Sequence, residues 1–487
     1  KIALCQGLKG RKKMRNLALL TDFYQLTMMN GYLKHGIHNN VVVFDYFFRK
    51  NPCNSSYTIV AGIEQLIDYL ENLEFSQGDL SYLRDLGFEE DFLNALRNFK
   101  FTGTMYGVPE GSIMFPNEPV IRVKGPCFEA QLIETALLNI MNFQSLIATK
   151  ASRICQAAKG DDVFEFGLRR AQGPDAGVYG ARSAYIGGCS STSNVLAGKK
   201  FDIPVVGTQA HSWIQSFDDE LQAFQAYADV YPDNCLLLVD TYDVLESGVP
   251  NAIKVFEDLR DRGYKAKGIR IDSGDIAFLS KKARKLLDDA GFTEASIVAS
   301  SDLDEDVINS LKMQEAAIDG WGVGTNLITS SKCPALGGVY KLSAIEEEGE
   351  IVARIKISEN PSKITNPGYK KVVRIYDRQG QMAQADLIML EGEEINIEEP
   401  LTIFDPIYTW KRKTFSQYSL REMLIPIYED GKLVYPRKTA AEVKAYAATE
   451  LDTLWPEYKR FTRPHLYKVD LSQDLWDLKH DMVKGYK

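Results

Sequence analysis

Residues 207–213 read Gly-Thr-Gln-Ala-His-Ser-Trp and have the composition of a phosphoryl-handling site. An apolar run at 203–206 predicts a buried strand before them, and apolar residues at helical spacing follow as far as Tyr227. We therefore expect His211 at a strand-to-helix junction. There, free N–H groups and the helix dipole favour bound phosphate and a neutral imidazole. Such a histidine can accept a phosphoryl group; the alternative is a histidine that caps a helix or packs in the core.

The elements that would position His211 repeat at a regular spacing. Strand-like runs begin near residues 163, 203, 235, 267, 296 and 321, with helical stretches between most of them. This spacing is close to that of βα units, which take about 30 residues each, and it predicts a parallel sheet or barrel. Most of these runs end in glycine and polar residues. In a (β/α) barrel the functional face is built from these strand ends.

The regions on either side differ from the repeat. Before it, the pattern predicts a helix over 19–33, a strand over 41–48, a β layer over 101–125 and a helix over 129–158. After it, Glu-rich turns separate short strands, and a helix is predicted over 439–454. We expect a leader at 1–13 that is not native, with Met14 the natural start, followed by three regions. These are an N-terminal α/β domain (14–133), a catalytic barrel (134–345) and an accessory region (346–487) packing on the other two.

The composition narrows the class of protein. At 487 residues the chain exceeds one ordinary core, and its apolar content of 45% and charged content of 25% are typical of soluble globular proteins. No apolar run is long enough to span a membrane, and a net charge of −9 argues against a general nucleic-acid surface. Seven scattered cysteines without metal-site spacing are typical of reduced thiols. We therefore predict a cytoplasmic enzyme that acts on small molecules.

Five segments together resemble the nicotinate phosphoribosyltransferase family. They occur in the expected order, at 21–28, 164–174, 207–212, 270–275 and 322–325. The resemblance implies an irregular (β/α) barrel of the type II phosphoribosyltransferase kind and homodimers with shared active sites. It implies formation of nicotinate mononucleotide and pyrophosphate from nicotinate and 5-phosphoribosyl 1-pyrophosphate. This reaction of NAD salvage would be coupled to ATP hydrolysis, as in a ligase, and would use Mg²⁺.

The resemblance also gives roles to residues. His211 would become a phosphohistidine, and Arg270, with Thr208 nearby, would bind the nicotinate carboxylate through paired hydrogen bonds. Arg169 would face substrate or phosphate across the dimer interface. Tyr24 and Phe166 would hold the pyridine ring between two aromatic faces. The alternatives are surface ion pairs for the arginines and ordinary core packing for the aromatic residues.

Two glycine-containing turns are predicted to hold the ribosyl donor. Asp272, with Ser273 and Gly274, could bind ribose hydroxyls or Mg²⁺ carrying pyrophosphate, or could instead cap the helix that starts at Ile276. Asp275 could do that capping by itself, which would leave Asp272 for ligand.

The second turn follows a late strand of the repeat. Gly322, Gly324 and Thr325 match a barrel phosphate site, which we assign to the 5′-phosphate, although a plain tight turn is the alternative. Ser301 and Asp302 would help to hold the pyrophosphate.

Three other functions compete with this prediction. A same-fold enzyme that uses nicotinamide should show a carboxylate partner for the amide. A quinolinate-decarboxylating transferase needs more cationic residues, because its substrate carries two carboxylates. A non-catalytic barrel could bind phosphoribosyl pyrophosphate without forming product, but it would have no need of a phosphoryl acceptor. No sequence of the form GxxxxGK[ST] is present, so ATP would not be held by a P-loop.

Overall fold

The computed structural model describes residues 16–485, so the predicted leader and the proposed start at Met14 lie outside the described residues. The first elements are α1 (Phe23–Lys34), β1 (Val41–Phe48), β2 (Thr58–Ile59), α2 (Ile63–Glu71), α3 (Gln77–Asp85), α4 (Glu90–Arg97), β3 (Thr104–Gly107), β4 (Ile113–Met114), β5 (Ile121–Pro126), α5 (Cys127–Leu132) and α6 (Glu134–Ala158).

The strand predicted over 41–48 is confirmed with its bounds. Two predicted helices differ from the observed ones. The first begins at Phe23 because the preceding residues form a turn, in which Asn16 Oδ1 accepts a hydrogen bond from the Ala18 N–H. The helix predicted over 129–158 is two helices, which meet at Ile133.

The middle of the chain supplies parallel strands and the helices between them. They are β6 (Asp162–Glu165), α7 (Pro174–Ile186), β7 (Ser191–Thr192), α8 (Val195–Phe201), α9 (His211–Gln215), α10 (Glu220–Val230), β8 (Leu236–Leu238), α11 (Val249–Asp261), β9 (Gly268–Ile271), α12 (Ile276–Asp289), β10 (Ser296–Ser301), α13 (Glu305–Met313), β11 (Gly320–Val323) and α14 (Thr325–Ile328).

These strands form one parallel sheet in the order β7-β6-β11-β10-β9-β8. Pairing of β6 with β11 joins the first strand of the series to the last, so the sheet curls into a barrel. A parallel bridge between Thr192 and Val205 extends it beyond β7. Within the described chain no further ladder joins Val205 to β8, so the barrel is open at that point. The predicted irregular (β/α) barrel is confirmed.

The segment just before His211 differs from the prediction. Residues 203–206 do not form a buried strand, since only Val205 makes a bridge and the side chains of Val205 and Val206 are exposed. Pro204 has no N–H to donate to a ladder, which limits pairing here. The single helix predicted to reach Tyr227 is two helices, α9 and α10. Asp219 caps α10 by accepting a hydrogen bond from the Gln222 N–H at 2.8 Å.

The remaining elements complete the other sheets. They are β12 (Gly338–Glu347), β13 (Glu350–Ala353), β14 (Lys370–Tyr376), β15 (Ala383–Leu390), β16 (Leu401–Phe404), β17 (Arg412–Phe415), β18 (Ser419–Glu422), β19 (Ile425–Glu429), β20 (Lys432–Leu433), α15 (Ala440–Asp452), β21 (Val469–Leu471) and α16 (Gln473–Gly485).

A seven-stranded antiparallel sheet joins the two ends of the chain in the order β13-β12-β1-β5-β3-β19-β20. The predicted boundary between 345 and 346 falls inside β12, a strand of this sheet. A second sheet, β18-β14-β15-β21, belongs to the C-terminal region alone. Helix α6 is largely buried and packs against α2, α7 and α13, so it links the N-terminal layer to the barrel.

Six cysteines among residues 16–485 are free thiols. No helix in this part of the chain combines the length and apolar character that a membrane crossing requires.

Candidate active site

His211 is the first residue of α9 and lies over the strand ends of the barrel. Its Nδ1 is 3.1 Å from the Thr241 hydroxyl, which follows β8. Its Nε2 is 4.0 Å from Asp240 Oδ1 and 3.9 Å from Asp272 Oδ2. The imidazole is 41% exposed. His211 therefore lies at the ends of β8 and β9, with one nitrogen hydrogen-bonded and the other facing two carboxylates and solvent.

Asp240 was not among the predicted site residues. Its side chain is only 1% exposed, and its Oδ2 accepts hydrogen bonds from the Asp272 N–H at 3.1 Å and the Ser273 hydroxyl at 2.6 Å. Its Oδ1 has no hydrogen-bond partner. Because a buried, unpaired carboxylate oxygen is costly, this atom is available to a donor or cation brought by a ligand. The sequence signal was a lone carboxylate directly after an apolar run.

Asp272 and Asp275 divide the two roles that the sequence left open. Asp275 caps α12 by accepting a hydrogen bond from the Phe278 N–H at 3.0 Å. Asp272 takes no part in the cap; its Oδ1 accepts a hydrogen bond from the Ser300 hydroxyl and lies 3.6 Å from Arg270 Nη2. Gly274 has φ +85°, a backbone conformation that glycine adopts most easily.

Arg270 lies on β9 with its guanidinium turned toward the strand ends. Nη1 donates to the Thr208 hydroxyl at 2.5 Å, so these two predicted residues are in contact. Nε has no partner, and burial lowers the pKa of the guanidinium, an effect that the Asp272 and Asp240 carboxylates oppose. Arg169 lies in an exposed turn after β6, and its positive charge adds to the lowering. Arg270 therefore has donors to spare for an anionic ligand.

Phe166 lies against the glycine at 322. A Cβ on Gly322 would lie 2.7 Å from the nearest ring carbon of Phe166, so only glycine leaves room for the ring. Gly324 precedes the short helix α14, of which Thr325 is the first residue. Ser301 ends β10 with φ +145°, a strained conformation for a residue other than glycine. The backbone carbonyl of Asp302 accepts a hydrogen bond from Asn326 Nδ2 at 3.1 Å.

Comparison with known proteins identifies the family. The model of the nicotinate phosphoribosyltransferase (NAPRTase) family matches residues 162–375, and its N-terminal and C-terminal domain models match 19–142 and 369–479. A nicotinate phosphoribosyltransferase of Bacillus subtilis (strain 168) is 50% identical over 474 residues, which cover 97% of this chain and 96% of the relative. The chain belongs to the nicotinate phosphoribosyltransferase family.

Two solved structures share the fold of this chain. The crystal structure of human nicotinic acid phosphoribosyltransferase has a TM-score of 0.85 at 30% identity, covering 95% of this chain and 99% of the human one. A nicotinate-nucleotide pyrophosphorylase from Pyrococcus furiosus has a TM-score of 0.69 at 22% identity, covering 92% and 99%. The second likeness shows the shared fold alone.

In this member of the nicotinate phosphoribosyltransferase family, Tyr24 lies away from Phe166. Tyr24 is 48% exposed and lines a separate cavity of about 380 Å³, formed by α1, α6 and residues 334–336. Burial, with help from Glu134 and Asp22, raises the pKa of its phenol. Within residues 16–485 no ring contact joins Tyr24 to Phe166. The aromatic sandwich is therefore not formed within the described chain and remains a prediction.

Two carboxylates near His211 are the candidate ligands for Mg²⁺. Residues 16–485 contain no group of three or more His, Cys, Asp or Glu side chains arranged to hold a metal. Mg²⁺ is usually held by one or two carboxylates together with water and substrate phosphates. Asp240, with its unpaired Oδ1, and Asp272 both face the same side of His211. This pair is a donor set that suits Mg²⁺ bound to a phosphate.

Proposed function

We propose that this chain forms nicotinate mononucleotide and pyrophosphate from nicotinate and 5-phosphoribosyl 1-pyrophosphate, coupled to ATP hydrolysis through His211, in NAD salvage. One observation carries the proposal. The Arg270 guanidinium has a buried, unpaired Nε and connects through Asp272 to His211. A group that can bind a carboxylate and one that can accept a phosphoryl group therefore lie at the same strand ends.

Nicotinate would lie with its carboxylate on Arg270 and one ring face on Phe166. Thr208 orients the guanidinium by accepting a hydrogen bond from Nη1. The pyridine nitrogen would form a bond to ribose C1 as the bond from C1 to the pyrophosphate oxygen breaks. Catalysis would consist mainly of positioning and of stabilising the departing charge. Tyr24 would cover the other ring face from the partner subunit of a homodimer, which is consistent with its exposure.

The donor's phosphates would contact the neighbouring strand ends. The N–H groups after Gly322 and Gly324, with Thr325, would bind the 5′-phosphate, and Arg169, Ser301 and Asp302 would lie at the pyrophosphate. Asp240 and Asp272 would hold Mg²⁺, which would supply positive charge to stabilise the departing pyrophosphate. Ser273 and Ser300 hold these two carboxylates in place through hydrogen bonds.

His211 would take the γ-phosphoryl group of ATP on Nε2. Nδ1 already contacts Thr241, whereas Nε2 has no atom of Asp240 or Asp272 closer than 3.9 Å. The new N–P bond forms as the P–O bond to ADP breaks. Hydrolysis of the phosphohistidine then releases phosphate and returns the enzyme to its starting state. The phosphorylated site would bind substrates more tightly and drive product formation.

Phosphorylation is tested with ATP carrying labelled γ-phosphate. We expect acid-labile label on the wild-type protein and none on His211→Ala. The matched control is His35→Ala, since His35 is exposed and lies outside the barrel, and it should label fully. Full labelling of His211→Ala would refute the role of His211, and product yield at equilibrium that does not depend on ATP would refute the coupling.

The competing functions are separated by turnover. The nicotinate enzyme should form mononucleotide from nicotinate far faster than from nicotinamide, because a carboxylate engages Arg270 and an amide does not. Preference for nicotinamide would favour the same-fold rival. Binding of the ribosyl donor without any product would favour a non-catalytic protein.

A further inference from the structure

A second cavity lies outside the barrel, between β1 and the C-terminal helix α16. Its volume is about 560 Å³, within the range typical of small-molecule sites. Its walls are mainly apolar and include side chains from four elements: Phe47, Ile388, Leu471 and Trp476. No lining residue belongs to the barrel segment 162–333, so the cavity is separate from the candidate active site.

Four titratable groups face this cavity: Asp45 on β1, Lys370 on β14, and Lys479 and His480 on α16. Lys370 is buried and pairs with Asp45 at 2.8 Å. Lys479 donates instead to the neutral Asn366 Oδ1 at 2.8 Å. No carboxylate in the described chain lies within ion-pair distance of Lys479, so the cavity has one ammonium group more than it has carboxylates.

The surroundings of Lys479 disfavour its charge. Burial, with a further contribution from Lys370, lowers its pKa to about 8. His480 supplies no negative charge, since an imidazole is neutral or cationic; its Nδ1 is 2.8 Å from the Trp476 carbonyl and its ring stacks on Trp476 at 3.6 Å. An anion placed beside Lys479 would remove this penalty.

We propose that this cavity binds a small organic monoanion with an apolar body, whose carboxylate pairs with Lys479. A single uncompensated ammonium suits one negative charge rather than a polyphosphate. The apolar walls suit a ring or short hydrocarbon more than a sugar. The site is independent of the transferase reaction, because it uses none of the residues assigned to nicotinate, ribosyl donor or ATP.

The probe is benzoate, titrated calorimetrically into the full chain with the active site filled by excess nicotinate mononucleotide, whose ribose and phosphate do not suit the apolar cavity. We expect Lys479→Met to weaken binding at least 10-fold and the matched Lys484→Met to leave it unchanged. Lys484 lies about one and a half turns further along α16, is exposed and pairs with Asp481. Neutral benzamide should bind at least 10-fold more weakly than benzoate. Equal affinity of the two lysine variants would overturn the proposal.

Two further measurements locate the site. Crystals soaked with 4-bromobenzoate should give an anomalous peak in this cavity for the wild type and Lys484→Met, and none for Lys479→Met. Above pH 8, benzoate binding should take up a proton, because the anion raises the pKa of Lys479. This uptake appears as a binding enthalpy that changes with the ionisation enthalpy of the buffer. An empty cavity, or no proton uptake at pH 8.5, would contradict the proposal.

The folding of the variant is checked by urea unfolding. The pKa of Lys479 in the folded protein, about 8, lies below its ordinary value of 10.5. The free energy of unfolding of the wild type should therefore increase as pH rises from 8 to 10.5, because Lys479 loses its proton in the folded protein first. Lys479→Met should be more stable than Lys484→Met at pH 7, and the difference should shrink across that interval. If Lys479→Met is less stable than Lys484→Met at pH 7, the charged Lys479 does not destabilise the folded protein.

Discussion

Single residues at the candidate site carry polar atoms that are buried without partners. Asp240 Oδ1 and Arg270 Nε are two of them, and the buried Gln209 has no partner for either atom of its side-chain amide. Each such atom costs free energy in the folded protein, typically about 1–3 kcal/mol. All three residues lie at or beside the strand ends around His211. A ligand that satisfies these atoms would recover part of that cost.

Arg270→Lys tests the proposed carboxylate site. A lysine keeps the charge but cannot donate to Thr208 and to a carboxylate in the planar geometry of a guanidinium. We expect the KM for nicotinate to rise at least 10-fold, with a smaller change in the KM for phosphoribosyl pyrophosphate. Steady-state kinetics with each substrate varied in turn checks this. Equal changes in both constants would place Arg270 elsewhere.

Gly322→Ala tests the contact with Phe166. The new Cβ would lie 2.7 Å from the ring, so the ring must move. We expect nicotinate affinity to fall about 10-fold, together with a stability loss of about 1–3 kcal/mol from overpacking. Gly392→Ala is the control, because no atom lies within 4 Å of its added Cβ. If both variants have wild-type kinetics, Phe166 does not position the substrate.

The sequence identified much of the candidate site, and what it missed has a physical reason. Arg270 and Thr208 were assigned through the resemblance to the family, whereas His211 and Asp272 were also indicated by their positions at predicted strand ends. Asp240 follows β8 in the same way, but it was not predicted because it lies in none of the five segments that carry the resemblance. The predicted pairing of Tyr24 with Phe166 is not made within the described chain, where Tyr24 lines a cavity beside α6. Hydrophobic patterns do not report which aromatic faces pair.

At the scale of elements, hydrophobic patterns located the strands and helices, but they did not show where an element is interrupted. The run at 203–206 has the residues of a buried strand, yet its valines are exposed and only Val205 forms a bridge. Burial depends on what lies opposite, and here the barrel is open. The gap between α9 and α10 follows from the Asp219 cap, a local signal that competes with a continuous apolar pattern.

Helix α15 depends on its capping box. Thr439 accepts a hydrogen bond from the Glu442 N–H at 3.2 Å, and the Thr439 N–H donates to the Glu442 carboxylate at 2.7 Å. Thr439→Ala should lower the free energy of unfolding by about 1 kcal/mol without changing kcat, because α15 is remote from His211. Thr439→Ser keeps the hydroxyl and should retain most of the stability. Denaturant unfolding decides between them, and equal stability of both variants would show that the cap contributes little.

At the scale of the whole molecule, the division of the chain by sequence differs from the division by sheets. The sequence indicated three consecutive regions, and the family models also follow that order. The seven-stranded sheet nevertheless takes β1, β3 and β5 from one end and β19 and β20 from the other. Composition and periodicity report local structure, so they could not reveal this long-range pairing.

Truncation tests whether the C-terminal region is separable. A chain that ends at residue 345 loses β13, β19 and β20, and β3 is left with an unpaired edge. We expect this fragment to be insoluble or to unfold without cooperativity in circular dichroism melts. A chain that ends at residue 472 keeps every strand and should melt cooperatively. Cooperative melting of the shorter fragment would show that the N-terminal layer and barrel are stable alone.

The pairing of β3 with β19 also fixes when this protein can finish folding during its synthesis. Thr104 and Asp430 hydrogen-bond to each other across 326 residues of chain. The ribosome must therefore release the whole barrel before the first sheet gains its last strands. Until then β3 exposes an edge on which nascent chains can aggregate. Slow translation would lengthen that interval, and a chaperone that shields the edge would raise the yield of native enzyme.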